Sequence, residues 1–139
     1  MSDVAYPEQG IVSLLESNEG VTALASAACI YPMAAPSNIT RPYLIYGRSN
    51  VEPATMDLDH RQFNAQMTIS CWADSYGGVR ALAQAVKQAL IGATFTDGAV
   101  EINTIMVVGE SDSFDPPIAG RDKPLYGVDL EFDYSYEEL

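Results

Sequence analysis

The sequence predicts an α+β fold of a single domain over residues 1–139, in which helices pack on one face of a mainly antiparallel four-stranded sheet. Two stretches, 61–72 and 126–134, alternate apolar and polar residues with the period of two that marks a strand buried on one face. Between them, apolar residues recur at the spacing of one helical stripe. The predicted order of helix, strand, strand, helix, strand, strand favours helices on one side of a sheet.

The first part of the chain is predicted to contain short elements. Residues 7–15 suit a short helix, because a proline lies near its first turn, where a missing N–H costs nothing. Residues 21–28 suit one or two further helical turns, and residues 30–32 an edge segment leading into a proline-bearing loop at 36–42. The first strand of the sheet is then predicted over 43–51.

The second strand and the main helix have the clearest patterns. The strand covers 61–72, and its apolar positions are Phe63, Ala65, Met67, Ile69 and Cys71. Asp74 or Ser75 can cap the helix, and Gly92 is expected to end it. Its apolar stripe consists of Val79, Leu82, Ala83, Val86, Ala89 and Leu90.

The last third of the chain is predicted to hold two strands separated by a long loop. β-Branched residues at 99–108, after an Asp-Gly turn signal, predict the third strand. Residues 110–124 are rich in acids, serines and prolines, which predicts a long acidic loop. The fourth strand, 126–134, places apolar residues on one face and Asp129, Glu131 and Asp133 on the other.

Composition and charge exclude several classes of protein. The chain has 139 residues, 47% of them hydrophobic, which suits one core. Its net charge of −12 opposes binding to phosphate backbones, which relies on Lys and Arg. No stretch approaches the roughly 20 apolar residues of a membrane span, and the N-terminus lacks signal-peptide features. We therefore expect a soluble protein that is made in the cytoplasm and has no membrane partner.

Catalytic and metal-binding patterns are sparse. The segment 109–113 has the serine of a G-x-S-x-G nucleophile elbow but lacks its second glycine. His60 is the sole histidine of the chain. Asp57 and Asp59 lie in a predicted turn, where aspartates bond their own backbone. The three strand acids stand about 6.5–7 Å apart, too far to share one ion. We expect no catalytic residue, no metal and no cofactor, and therefore no enzyme.

Four segments in order resemble the tail completion, or tail terminator, proteins of long-tailed bacteriophages. These segments are residues 30–36, 41–46, 69–86 and 125–132, and the likeness runs from about residue 11 to residue 134. The resemblance implies a structural subunit that forms a ring, typically of six copies, at the head-proximal end of the tail tube. The ring would terminate tail polymerisation and join the tail to the head connector.

The resemblance also implies partners and a location. The subunit would be assembled in the host cytoplasm, reside in the tail or neck of the virion, and contact the tail tube protein and a head connector or neck protein. DNA would pass through the ring without specific binding. We expect the acidic face of Asp129, Glu131 and Asp133, or the acidic loop at 110–124 before it, to line or border this channel, where negative charge keeps phosphates from adhering.

Tyrosines on predicted strands are candidates for the contact between copies. They are either interface residues or ordinary half-buried strand residues. The four tyrosines are Tyr43, Tyr46, Tyr134 and Tyr136.

Three alternatives stay open at this point. An acidic DNA mimic would carry comparable charge, but residues 93–139 concentrate eleven acids against two bases, whereas a mimic spreads its acids over the fold. A neighbouring neck or head-completion ring protein would share the structural role. An enzyme using Asp57, Asp59 or His60 would need a cleft with converging carboxylates.

Overall fold

The computed structural model describes most of the chain in eight stretches. These are residues 8–25, 29–32, 42–53, 62–92, 95–97, 100–102, 105–115 and 124–138. The helices in them are α1 (Glu8–Ser17), α2 (Glu19–Thr22) and α3 (Tyr76–Leu90). The strands are β1 (Ile30–Pro32), β2 (Tyr43–Pro53), β3 (Gln62–Ala73), β4 (Phe95–Asp97), β5 (Val100–Ile102), β6 (Met106–Asp115) and β7 (Leu125–Glu138).

All seven strands belong to one mixed sheet. Its order is β1-β2-β3-β7-β5-β4, and β6 also pairs with β7. β1 runs parallel to β2, whereas the other pairs are antiparallel. β7 pairs with β3 on one side, and on the other side with β6 and then β5. β7 is therefore the central strand of the sheet.

The core lies between α3 and one face of the sheet. Alternation in β7 turns Val128, Leu130 and Phe132 inward, where each is fully buried. Met67 and Ile69 of β3 lie on the same face and are also fully buried. The predicted apolar stripe of α3 covers them, and α1 and α2 pack against α3. None of the described helices is long and apolar enough to cross a membrane.

α3 begins and ends where the sequence predicts. The Ser75 hydroxyl, one of the two predicted caps, accepts a hydrogen bond from the Gly78 amide at 3.0 Å. The helix ends at Leu90, and Gly92 adopts a φ of 77°, a left-handed conformation that glycine accommodates without strain. The Gly92 amide then donates to the carbonyl of Ile105 at 2.9 Å, which fixes the chain after α3 beside β6.

The predicted α+β fold with a mainly antiparallel four-stranded sheet is wrong. The sheet is mixed and has seven strands, and helices are few beside them. The single strand predicted at 99–108 is divided between β5 and β6, which pair with different parts of β7. Residues 110–115 of the predicted acidic loop belong to β6, while residues 116–123 lie outside the described stretches. The acids and serines of residues 110–115 can occupy a strand because Glu110 and Asp112 contact polar side chains of α3 and Ser113 donates to Asp129 of β7.

Candidate functional site: the polar face and the β6 flank

The sheet face opposite the helices is polar across β3, β7 and β6. Pairing places Ser70, Asp129 and Ser111 in one row across the sheet, and Thr68, Glu131 and Gly109 in the next. Directly paired residues point to the same side of a sheet, so these rows form one continuous surface. We call it the polar face, and it comprises Asn64, Gln66, Thr68, Ser70, Gly109, Ser111, Ser113, Asp129, Glu131, Asp133 and Ser135.

The three acids predicted to share one face lie on this surface. Asp129 accepts a hydrogen bond from the Ser113 hydroxyl at 3.2 Å, and Glu131 is exposed above Gly109, which has no side chain to displace it. One carboxylate oxygen of Asp133 is buried and has no hydrogen-bond partner in the described structure. Asp129 is thus held by a hydroxyl of β6, whereas Glu131 extends above a residue without a side chain. The position of the three acids along a channel stays a prediction.

The polar face carries no arrangement that suits a metal ion. Among the described residues, no group of three or more His, Cys, Asp and Glu side chains is placed to hold a metal. An open cavity of about 370 Å³ lies beside Asp133, and its other polar side chains are the amides and hydroxyl of Asn50, Asn64, Gln66 and Ser135. Asp57, Asp59 and His60, the residues considered for an enzyme, lie outside the described stretches.

The two cysteines differ in burial. Neither Cys29 nor Cys71 is in a disulfide bond, and Cys71 is buried in β3 beneath the helices. Burial raises the pKa of the Cys71 thiol, and the negative charges of Asp129 and Glu110 raise it further. The Cys71 thiol therefore stays protonated at neutral pH and is a poor nucleophile.

An aromatic residue at one end of the polar face depends on a glycine. The Trp72 ring lies so close to Gly127, its partner in β7, that a Cβ on Gly127 would stand 2.8 Å from Trp72 Cζ3. Two further ring atoms would be 3.0 Å from that Cβ. The absence of a side chain at Gly127 is what lets Trp72 cover the central strand.

Gly127→Ala is expected to lower the free energy of unfolding by about 1–3 kcal/mol, because the new methyl group displaces the Trp72 ring. Gly77→Ala is the matched control. A Cβ at Gly77 meets nothing within 4 Å, so alanine in α3 should be neutral or add about 0.5–1 kcal/mol. Urea unfolding followed by Trp fluorescence measures both. Equal effects of the two substitutions would show that the Trp72 contact does not constrain position 127.

Two of the four candidate interface tyrosines are core residues. Tyr134 and Tyr136 are only 3% and 7% exposed, and the Tyr136 ring stacks on Phe63 with ring centroids 5.2 Å apart. Tyr43 and Tyr46 are partly exposed on β2. An interface role therefore stays a prediction for Tyr43 and Tyr46, whereas the other two tyrosines contribute to the hydrophobic core.

β6 and α3 are joined by polar contacts on the helix side of the sheet. Lys87 of α3 forms an ion pair with Glu110 at 2.9 Å. The Tyr76 hydroxyl donates to Asp112 at 2.8 Å, and Arg80 donates to that hydroxyl at 3.1 Å. This hydrogen bond with Tyr76 raises the pKa of Arg80, so its guanidinium stays charged. Because the acids of β6 meet bases on α3, β6 can be a strand despite its composition.

Sequence patterns did not reveal a concentration of exposed apolar side chains along β6. Six large apolar side chains are exposed in the described stretches, and all but Leu24 lie on β6 or at the two ends of α3. These five are Tyr76, Ile91, Met106, Val108 and Phe114, and we call them the β6 flank. Met106 and Val108 lay in the predicted third strand and Phe114 in the predicted loop, so no pattern signalled their exposure.

Comparisons with known proteins bear on the role of these surfaces. The model of the family described as Tail completion protein gp17 matches residues 9–135. A chain from a solved structure described as "Virion of native gene transfer agent (GTA) particle" shares the fold, with a TM-score of 0.72 and 20% identity over 96% of this chain and 99% of that chain. No curated protein sequence matches. Because the family model spans most of the chain, the protein belongs to the tail completion protein gp17 family, the family it resembles in sequence, and is a structural protein of the bacteriophage virion.

Proposed function

We propose that copies of this protein form a closed ring at the head-proximal end of the tail tube. The ring, with six copies, ends tail polymerisation and joins the tube to the head connector. The observation that carries this proposal is membership of the tail completion family over residues 9–135. The described surfaces support it, because a ring subunit needs exposed apolar side chains for contacts between copies, and the β6 flank supplies them.

The composition of the polar face supports an orientation in which this face of the sheet lines the channel. Its hydroxyl, amide and carboxylate side chains offer phosphates no cation, so DNA can pass without being held. The carboxylates of Asp129 and Glu131 add repulsion toward phosphate at close range. The helices then face outward, on the other side of the sheet.

Native mass spectrometry tests the ring. We expect six-fold multiples of the 15.0 kDa chain, either at high protein concentration or after addition of tail tubes from the same particle. Tubes capped by the protein should also stop growing, as seen by electron microscopy. A chain that stays monomeric or dimeric at every concentration and with tubes present would contradict the proposal and favour an acidic DNA mimic.

A further inference from the structure

We infer that the cavity beside Asp133 binds the cationic head of a lysine or arginine side chain from another subunit of the virion. The inference rests on the family to which the chain belongs and not on the proposed ring. The cavity, of about 370 Å³, opens on a row of residues that crosses four strands. This row consists of Asn50, Gln66, Asp133 and Met106, which pair in register from β2 to β6.

Two irregularities of the sheet border this row. In β2, the register with β3 shifts just before Asn50. On the other side, β7 changes its partner from β6 to β5, and neither of these two strands pairs with Tyr134 or Ser135. Irregular pairing of this kind interrupts the surface of a sheet and is frequent beside binding sites. The cavity therefore lies where the strands of the outer face are not regularly paired.

Asp133 supplies a negative charge to the cavity. One of its carboxylate oxygens, Oδ1, is buried and has no hydrogen-bond partner among the described residues. A buried carboxylate oxygen without a partner is unfavourable, and an N–H donor removes that cost. Asp129 differs, because the Ser113 hydroxyl donates to it. The neighbours of Asp133 in its row, Gln66 and Met106, are exposed and unbranched at Cβ, so their side chains can rotate and admit a donor.

The rest of the lining selects the class of ligand. Asp133 is the single charged residue among the described residues that line the cavity, and the neutral polar side chains are Asn50, Asn64, Gln66 and Ser135. Their carbonyl and hydroxyl oxygens can accept further N–H groups. An ammonium or a guanidinium group offers several N–H donors and one positive charge, which one carboxylate balances. A divalent metal would keep an unbalanced charge, and no group of three or more His, Cys, Asp and Glu among the described residues could hold it.

The position of the cavity favours a side chain from another subunit. The described bases of α3, Arg80 and Lys87, bond to partners on the helix side of the sheet. Arg48 pairs in register with Met67, a fully buried core residue, which directs it to the helix side as well. The cavity instead lies on the outer face, at the end of the polar face away from Trp72, where a neighbouring subunit can approach.

An NMR titration of the unmodified chain with N-acetyl-arginine amide tests the site. We expect saturable shifts of the side-chain amide signals of Asn64 and Gln66. N-acetyl-citrulline amide is the ligand control, because it has nearly the same shape without the charge, and it should cause no saturable shift. Absence of saturation with the arginine compound, equal binding of the citrulline compound, or tighter binding of Ca²⁺ at the same ionic strength overturns the inference.

Two amide variants assign the binding to one carboxylate. Asp133→Asn is expected to raise the Kd of N-acetyl-arginine amide by about tenfold or more, since it removes the charge and keeps the shape of the side chain. Asp129→Asn is the matched control, because it removes an acid of the same strand that already accepts from Ser113, and it should change the Kd by less than about twofold. Circular dichroism checks that both variants fold. Equal effects of the two folded variants overturn the assignment to Asp133.

Cosedimentation with tail tubes, together with native mass spectrometry of the chain alone, tests whether the cation belongs to another subunit. Asp133→Asn should bind copies or tubes about tenfold more weakly than the unmodified chain, whereas Asp129→Asn should bind them normally. Normal assembly of Asp133→Asn would mean that the site takes a free cation, which overturns the assignment to a subunit. If the unmodified chain binds neither copies nor tubes, the proposed function fails, whereas the titration decides the cation site independently.

Discussion

Phe132→Ala is expected to lower the free energy of unfolding by about 3–5 kcal/mol. Phe132 is fully buried, and it lies on the central strand, where β3 pairs on one side and β6 on the other. Truncation removes the ring from the centre of the core and leaves a cavity that paired strands cannot close. Because folded domains are stable by only about 5–15 kcal/mol, such a loss would bring the chain close to unfolding.

Phe114→Ala provides a matched control, since Phe114 is the same residue type on β6 and is 58% exposed. Its loss should change the stability of the isolated chain by less than about 0.5 kcal/mol. Urea unfolding at a protein concentration below assembly measures both variants. Similar losses for Phe132→Ala and Phe114→Ala would mean that the core is not centred on β7.

The elements that sequence patterns predicted well are those with one buried and one exposed face. Alternation predicted a strand over 61–72, and β3 covers Gln62–Ala73. Its inner side chains face the helices, and its outer side chains from Asn64 to Ser70 are hydroxyls and amides. α3 was predicted for the same reason, since burial under only one face leaves a regular stripe. An element that is buried on one face only therefore has a regular alternation of apolar and polar residues in its sequence.

Sequence patterns predicted an edge segment at residues 30–32, but they predicted neither its parallel pairing as β1 nor the strand at residues 110–115 of β6. β6 mixes apolar, hydroxyl and acidic side chains, and its register shifts between Val107 and Gly109, so no period of two survives. β1 has only three residues, and its parallel pairing with β2 depends on a contact distant in sequence. Composition alone therefore predicted a loop for residues 110–115, and the number of strands was underestimated.

The candidate site was predictable in part for a similar reason. Alternation in β7 was enough to place Asp129, Glu131 and Asp133 away from the core. Alternation could not distinguish the candidate interface tyrosines from core residues, because Tyr134 and Tyr136 occupy the inward phase of the same strand. Exposure of Val108 and Phe114 depends on β6 being at an edge, which only the sheet order reveals.

Reversing the charge of the polar face is expected to hinder DNA passage without preventing assembly. Replacing Asp129, Glu131 and Asp133 with lysine changes the net charge of each chain from −12 to −6. If the polar face lines the channel, six copies then present eighteen amines to the phosphates, and DNA should be retained during ejection. Because phosphate binding by lysine is weakened by salt, ejection should recover as ionic strength rises.

A matched pair of variants separates this effect from a general change of charge or stability. Asp133 has a buried carboxylate oxygen, so lysine there can disturb the fold, whereas Glu131 is exposed and Asp129 is bonded by one hydroxyl. The double variant Asp129→Lys with Glu131→Lys is therefore the test variant. Its control is the double variant Glu16→Lys with Glu19→Lys, which replaces two exposed acids of α1 and α2 and raises the net charge by the same amount. We expect slow ejection at low salt for the first pair and normal ejection for the second, measured by release of dye-labelled DNA from purified phage. Equal ejection by both variants at low salt, with rings intact, would place the polar face away from the channel and leave its acids a role in solubility alone.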